Sequence, residues 1–180
     1  MNKKVLIISS TPRAGGNSEI LSDEFARGAA ESGNLTEIVR LRQKKIGMCT
    51  GCGTCSELRK SCPQKDDAPE IIEKMVEADV IVFATPVYFY APCAQLKALI
   101  DRCSTRYEEM KGKKFYFIAT MADETAENME RTFDTLRGFT DCLENPEECG
   151  CIYGTGVWKK GEVRHTPAMQ QAYEMGKSIR

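Results

Sequence analysis

The chain predicts an α/β fold: a doubly wound, five-stranded parallel sheet with helices on both faces. Three observations predict it. Short apolar runs alternate along the chain with segments of helical periodicity. One of those runs, Val80 to Ala84, is continuously apolar, as in a strand buried on both sides. The length of 180 residues with 42% apolar content suits one domain over residues 1–180 and demands no second core. Val5 to Ser9 reads as the first strand, followed by a polar loop and a helix with Ile20, Leu21, Phe25 and Ala29 on one side. Glu37 to Leu41 reads as the second strand, and a cysteine-bearing loop spans residues 46–63. Asp67 with Glu70 forms a capping box, with Pro69 in the first turn, for a helix to about Ala78. The Val80 to Ala84 strand precedes a helix after Pro92 that carries Leu96, Leu99, Ile100 and Cys103 at helical spacing. Phe115 to Thr120 makes a fourth strand and Glu124 to Asp141 a fourth helix. Cys151 to Gly154 makes a fifth strand, and Thr166 caps a last helix through about Ser178.

Right-handed crossovers between such units give a flavodoxin-like order, 2-1-3-4-5, whose ligand lies beyond the carboxyl ends of the strands near the β1/β3 switch point. Three loops converge there: Ser9 to Ser18, Thr85 to Pro92, and Thr120 to Asp123. The cysteine loop leaves the second strand on the same edge.

Composition narrows the function classes. Lys and Arg number 25 against 26 Asp and Glu, with no long single-sign run, so a nucleic-acid partner is not expected. The apolar core of the amino terminus, Val5 to Ile8, is too short for a secretory segment. The run Val80 to Cys93 is broken by Pro86 and Pro92 and is too short to span a bilayer as a helix. The expectation is a soluble, cytoplasmic protein without a membrane partner. Nine cysteines with no export signal argue for metal ligands or redox groups over structural disulfides.

The first loop, SSTPRAGGNSE, brings hydroxyls, an amide, a guanidinium and two glycines to a helix amino terminus, where free N–H groups and the dipole favour an anion. It fits neither GxGxxG nor GxxxxGK[ST]. The second strand ends in Arg40 and Arg42, without the acidic residue that bonds the ribose of NAD. A terminal monophosphate fits best: Ser9, Ser10, Thr11, Asn17 and Ser18 can donate to its oxygens, and Arg13 can balance its charge. The plainer reading is that Ser18 caps the helix and Arg13 is solvated. The absence of a cysteine in this loop sets aside a tyrosine phosphatase of similar topology. The second loop, TPVYFYAP, can bond the polar edge of a flat ring through its backbone while Tyr88, Phe89 or Tyr90 lines the face. A monophosphate site beside an aromatic loop points to FMN.

Cys49, Cys52, Cys55 and Cys62 lie within fourteen residues, three of them overlapping as CxxCxxC and the last followed by Pro63. That spacing can wrap an iron-sulfur cubane. Zinc usually takes two separated CxxC knuckles; zinc, a redox dithiol and free structural thiols remain as alternatives.

The segments SSTPRAGGNSEIL, CTGCGTC with SCP, ATPVYFYAPCAQLKALIDR and YGTGVWKKGEV together resemble the iron-sulfur flavoproteins within the NADPH-dependent FMN reductase and multimeric flavodoxin group. The resemblance implies a [4Fe-4S] cluster on the four cysteines and FMN phosphate held by Ser9, Thr11, Arg13, Asn17 and Ser18. It implies ribityl and isoalloxazine contacts from Pro86, Val87, Tyr88 and Phe89. Thr120 and Ala122 are further flavin candidates, in a loop that carries Thr120, Met121, Ala122 and Asp123 where relatives often have glycines. It also implies a homo-oligomer, a homodimer or homotetramer.

The expected function is an FMN-dependent oxidoreductase that relays electrons between NAD(P)H or ferredoxin-like donors and small-molecule or protein acceptors. No side chain need act as acid, base or nucleophile, because the cofactors carry the chemistry. Two alternatives stand beside it: a simple NAD(P)H-dependent FMN or quinone reductase with zinc or free thiols at the cysteine motif, and a non-catalytic redox sensor. His165, the only histidine, reads as a surface residue. Cys93 and Cys103 read as core, Cys142, Cys149 and Cys151 as buried small side chains around the fifth strand, with a redox pair as the alternative, and Trp158 as a cover for flavin or a neighbouring subunit, or as core.

Overall fold

The alternating pattern of the sequence folds as five parallel strands with helices on each face. The computed structural model describes residues 2–58 and 60–180, so Met1 and Arg59, the latter within the cysteine loop, lie outside it. The strands are β1 (Lys4–Ser9), β2 (Leu35–Arg40), β3 (Val80–Tyr88), β4 (Ala91–Pro92), β5 (Lys114–Thr120) and β6 (Glu147–Gly154). The helices are α1 (Asn17–Glu31), α2 (Ala68–Glu77), α3 (Ala94–Arg102), α4 (Glu130–Thr140) and α5 (Ala168–Lys177). The sheet order is β2-β1-β3-β5-β6, all parallel, with the two-residue β4 antiparallel to β3. With β4 set aside, this is the flavodoxin-like order expected of the sequence.

The strands read as continuous apolar runs because both faces are buried. Leu6, Ile8, Ile81, Phe83, Phe115 and Phe117 face α2, α3 and α4, which contribute Ile71, Met75, Leu96, Leu99 and Phe133. Val5, Ile7, Val80, Val82 and Ile118 face α1 and α5, which contribute Leu21, Phe25 and Ala172. On the first face Phe83 and Phe117 lie nearly parallel, 6.4 Å between ring centroids, and Phe115 and Phe139 meet edge to face at 6.4 Å. On the other face α1 and α5 cross at glycines: a Cβ on Gly28 would collide with the Tyr173 carbonyl, and one on Gly176 with the Phe25 carbonyl.

Several element boundaries differ from the sequence reading, each for a local reason. The third strand continues past Ala84 to Tyr88 because β4 returns against it, Val87 opposite Pro92 and Tyr88 opposite Ala91. Phe89 and Tyr90 form the two-residue turn at φ of 51° and 61°, left-handed values that suit the twist of a hairpin but are unusual for aromatic residues. The second strand ends at Arg40, and Leu41 opens a 3-10 turn to Gln43. The last strand starts at Glu147, four residues before Cys151, and accommodates Cys149 as an extra residue where the register steps from Phe115–Glu148 to Tyr116–Gly150. The fourth helix is split into a 3-10 turn, Ala126–Met129, and α4. The capping box does not form: the Asp67 carboxylate accepts from Lys45 N–H at 2.6 Å, and Asp66 takes the Ala68 N–H at 3.1 Å. Pro167, one residue after Thr166, is the cap position of α5. Among the described residues no helix is long and apolar enough to cross a membrane.

The glycine crossing gives a test by contrast. Gly28→Ala should lower unfolding free energy by about 1–3 kcal/mol through overpacking. Gly138→Ala, on an open face of α4 with nothing within 4 Å of the new Cβ, should raise it by up to about 1 kcal/mol. Urea unfolding of both variants against the parent checks the pair.

Candidate functional site

The carboxyl ends of β1, β3 and β5 open into a cleft of ≈ 310 Å³. Thr11, Arg13, Asn17, Ser18, Pro86, Val87, Tyr88, Phe89, Thr120 and Ala122 line it, together with Gly16, Met121, Val157, Trp158 and Lys160. Of the residues singled out in the sequence, Ser9 and Ser10 are not on this wall. The Ser10 hydroxyl donates to the Ala84 carbonyl at 2.8 Å and lies 3.2 Å from Cys93 Sγ, so it fastens β1 to β3 beneath the loop. Ser9 Oγ is buried without a partner.

The loop from β1 to α1 is tightly wound. Thr11 Oγ1 accepts from Arg13 N–H at 3.2 Å, and Gly16 N–H donates to the Arg13 carbonyl at 3.0 Å. A Cβ on Gly16 would sit 2.8 Å from Thr11 Oγ1, so no larger residue fits there. Ser18 stands in the first turn of α1, where backbone N–H groups have no helical partner. Its own hydroxyl is buried and, among the described residues, unpartnered. Asn17 faces the other way: Nδ2 donates to the Lys159 carbonyl at 3.0 Å, and Oδ1 accepts from Gly161 N–H at 2.9 Å. Asn17 therefore clasps the segment from Val157 to Gly161 over the loop. Lys160 lies across Gly15, whose hypothetical Cβ would be 2.7 Å from Lys160 Cε, while Arg13 Nη1 donates to the Trp158 carbonyl at 3.4 Å. Two cations thus border the mouth of α1.

The third loop is tied to the same segment, Met121 N–H donating to Gly154 and Val157 N–H to Met121, each at 2.9 Å. The opposite wall is the β3–β4 hairpin, with Phe89 fully exposed and Tyr90 under the Arg131 guanidinium at 5.0 Å. Trp158 is also exposed. Arg40 and Arg42, in place of a ribose-binding acid, turn to α1: Arg40 Nε and Arg42 Nε each donate to Glu19 at 3.1 Å, and Arg40 Nη2 to Asp23 at 2.6 Å. Burial works against the Glu19 carboxylate, but the Arg42 and Arg40 guanidiniums outweigh it and hold its pKa below the usual value.

Cys49, Cys52, Cys55 and Cys62 all border one hollow of ≈ 170 Å³ on the loop between β2 and α2. Cys49 Sγ accepts from Gly51 N–H at 3.4 Å, Cys52 Sγ lies 3.3 Å from Thr54 Oγ1 and Cys55 Sγ 3.6 Å from Ser104 Oγ. Arg102 Nη2 donates to Cys62 Sγ at 3.2 Å. Among the described residues no group of three or more His, Cys, Asp or Glu side chains is placed to hold a single metal ion. The other cysteines are free thiols. Cys93 and Cys103 are core, as expected, and burial pushes the Cys103 thiol up to about 12. Cys142 is exposed rather than buried as expected, since it follows the end of α4; Cys149 and Cys151 are half-buried on β6, and burial raises Cys151 to about 12. His165 is exposed.

A family model described as NADPH-dependent FMN reductase matches residues 3–143. The chain belongs to that family, among its iron-sulfur flavoproteins. It is 46% identical over 99 residues to an iron-sulfur flavoprotein of Methanocaldococcus jannaschii, a match covering 55% of this chain and 51% of that one. It is 36% identical over 140 residues to one of Archaeoglobus fulgidus, covering 73% of this chain and 71% of the relative. The matches span about half the length of most of these curated relatives. The fold is shared with an NAD(P)H:quinone oxidoreductase from Methanothermobacter marburgensis, with a TM-score of 0.77, 17% identity and coverage of 98% and 96% of the two chains.

The residues fit both groups that the family implies. An unpartnered hydroxyl at a helix amino terminus, a loop closed around Gly16 and two bordering cations fit a flavin monophosphate. Four thiols bordering one hollow match, in number and kind, the donors that a [4Fe-4S] cluster takes. Sequence reasoning missed Lys160 and Gly16 as parts of the cleft. Both signals were in the chain: paired lysines after Trp158, and paired glycines before a helix start.

The Glu19 contacts imply a pH effect. A carboxylate whose folded pKa lies below its unfolded value adds stability that is full above the unfolded value and lost as pH falls through the folded one. Urea unfolding of the parent should therefore weaken as pH drops below about 4.5, the ordinary value, and Glu19→Gln should show a shallower loss across that window.

Proposed function

We propose that the chain binds FMN in the cleft at the ends of β1, β3 and β5 and acts as an NAD(P)H-dependent FMN oxidoreductase. In this reading Cys49, Cys52, Cys55 and Cys62 hold a [4Fe-4S] cluster that passes electrons to or from small-molecule or protein partners. The observation that carries the flavin site is Ser18: a buried hydroxyl without a partner among the described residues, in the first turn of α1, at the base of an open cleft. Such a group costs free energy unless a ligand completes it.

When bound, FMN supplies the hydride chemistry and the step from electron pairs to single electrons. The chain's own residues position and shield it. Thr11 and Ser18 reach the phosphate, Arg13 and Lys160 balance its charge, and Asn17 holds the Val157 to Gly161 segment against the loop. Pro86 to Phe89 line the ring, with Thr120, which pairs beside Pro86 in the sheet, and Ala122 next to them. Ser10 drops out as a direct ligand, since its hydroxyl serves Ala84. Phe89 and Trp158, both exposed at the rim, suit burial by another subunit, in keeping with a homodimer or homotetramer of a single-domain cytoplasmic chain.

A second reading is a simple NAD(P)H-dependent quinone or FMN reductase whose thiols stay free. On its side is the finding that no three of the described metal-ligating side chains are set to hold one ion. It shares the flavin site and differs in iron content.

The flavin site is tested by fluorescence titration of the apoprotein with FMN and with riboflavin. Ser18→Ala should weaken FMN by about tenfold or more, the value of a hydrogen bond to a charged group, and leave riboflavin unchanged. Equal affinities of parent and variant for FMN would remove Ser18 from the phosphate site. Anaerobic NAD(P)H oxidation with a quinone should require added or bound FMN; no turnover with any nicotinamide would sink the reductase.

A further inference from the structure

Arg102 ends α3 with a side chain only 2% exposed, although it carries a full charge. A buried guanidinium is costly unless its charge is matched and its N–H groups are used. On the cysteine loop its charge is matched and both Nη atoms are used, while Nε is buried with no partner among the described residues. Asp66, 6% exposed, faces it in a two-pronged pair, Nη1 to Oδ2 at 2.7 Å and Nη2 to Oδ1 at 3.2 Å. Nη1 also donates to the Gly47 carbonyl at 2.9 Å, and the Gly47 N–H donates back to Asp66 at 2.8 Å. One side chain from α3 thus holds the residues before Cys49 and after Cys62 together and closes the neck of the loop.

Closure does not account for the remaining contact. Nη2 also donates to Cys62 Sγ at 3.2 Å, a charged donor on one of the four sulfurs that border the hollow. Among the described residues the other three sulfurs meet neutral groups: Cys49 the Gly51 N–H, Cys52 the Thr54 hydroxyl and Cys55 the Ser104 hydroxyl. A charge-assisted hydrogen bond is about twice as strong as a neutral one, so Cys62 is electrostatically unlike its neighbours.

The geometry points to Arg102 and Asp66 as an opposed pair of positioning residues that set the reduction potential of a cluster on these four cysteines. The inference rests on the cluster reading above. Reduction transfers one electron, from reduced flavin in the protein or dithionite in the test, to the cluster. No bond forms or breaks, and cluster plus thiolates become more negative by one charge. A positive N–H donor on a ligand sulfur stabilises that reduced state more than the oxidised one, and the nearby Asp66 charge opposes it. The potential follows from the difference between the two.

The pair permits a test by sign. The full chain and its variants are purified anaerobically, reconstituted with iron and sulfide, and titrated with dithionite while the reduced cluster is followed by electron paramagnetic resonance. Arg102→Gln should make reduction about tenfold less favourable, 59 mV lower for a one-electron couple, and Asp66→Asn should move it in the opposite direction. Loosening of the loop alone would shift both variants the same way, and that result overturns the inference. So do potentials equal to the parent's in variants that hold full iron. If the two variants lose iron, Arg102→Lys decides, since it keeps the charge beside Asp66 but loses the fork: a lowered potential supports the inference and an unmoved one overturns it. A parent chain without iron and sulfide overturns the cluster reading as well, whereas a loaded parent with unmoved variants overturns this inference alone.

Discussion

The burial of β1 on both faces is the constraint from which the site follows. Val5 and Ile7 are held by α1 and α5, Leu6 and Ile8 by α2 and α3, and the strand is paired on both sides by β2 and β3. A strand fixed in this way cannot shift register by one residue without exchanging its two apolar sets. Its carboxyl end is therefore a fixed point, and Ser10, bonded to Ala84, passes that rigidity into the loop. The tight turn at Gly16 then delivers Ser18 and the start of α1 to one place beside the third strand.

Around that fixed point the site is assembled from the chain's distant parts. Asn17 joins the loop to the Val157–Gly161 segment, and Met121 joins that segment to the end of β5. The cysteine loop is held by a different device, the buried Arg102–Asp66 pair, which reaches from α3 to both ends of the loop. One half of the molecule thus closes the loop from β1 to α1 beside the cleft with backbone and amide contacts. The other closes the neck of the cysteine loop with a charged clasp that touches Cys62. Both stand on loops carried by a sheet whose interior is almost wholly apolar, the usual division between rigid scaffold and functional edge.

The fold was legible because its strands are buried on two faces: Val80 to Ala84 and Phe115 to Thr120 have no solvent-facing residues to blur the pattern. Boundaries were less so where tertiary pairing extended a strand. Nothing local announces that Pro86 to Tyr88 continue β3, because the hairpin depends on Phe89 and Tyr90 adopting left-handed values that aromatics seldom take. The capping box failed because Asp66, one residue earlier, does the capping while Asp67 serves Lys45. Most of the cleft was readable from loop composition and topology, since Thr11, Ser18 and the TPVYF segment all converge there. Lys160 and the Arg102 clasp were not, because each acts across a long sequence separation and neither sits in a motif of its own. Asn17 was found for its polarity but serves the loop's closure.

On the proposed reading, one chain brings a flavin site and a four-thiolate cluster site to neighbouring loops of one sheet. Anaerobic purification and reconstitution, followed by quantification of FMN, iron and acid-labile sulfide per chain, tests it most directly. About one FMN with about four iron and four sulfide is the expected result. Flavin without iron or sulfide would contradict the cluster and leave a simple reductase, and a chain carrying neither would contradict the functional reading altogether.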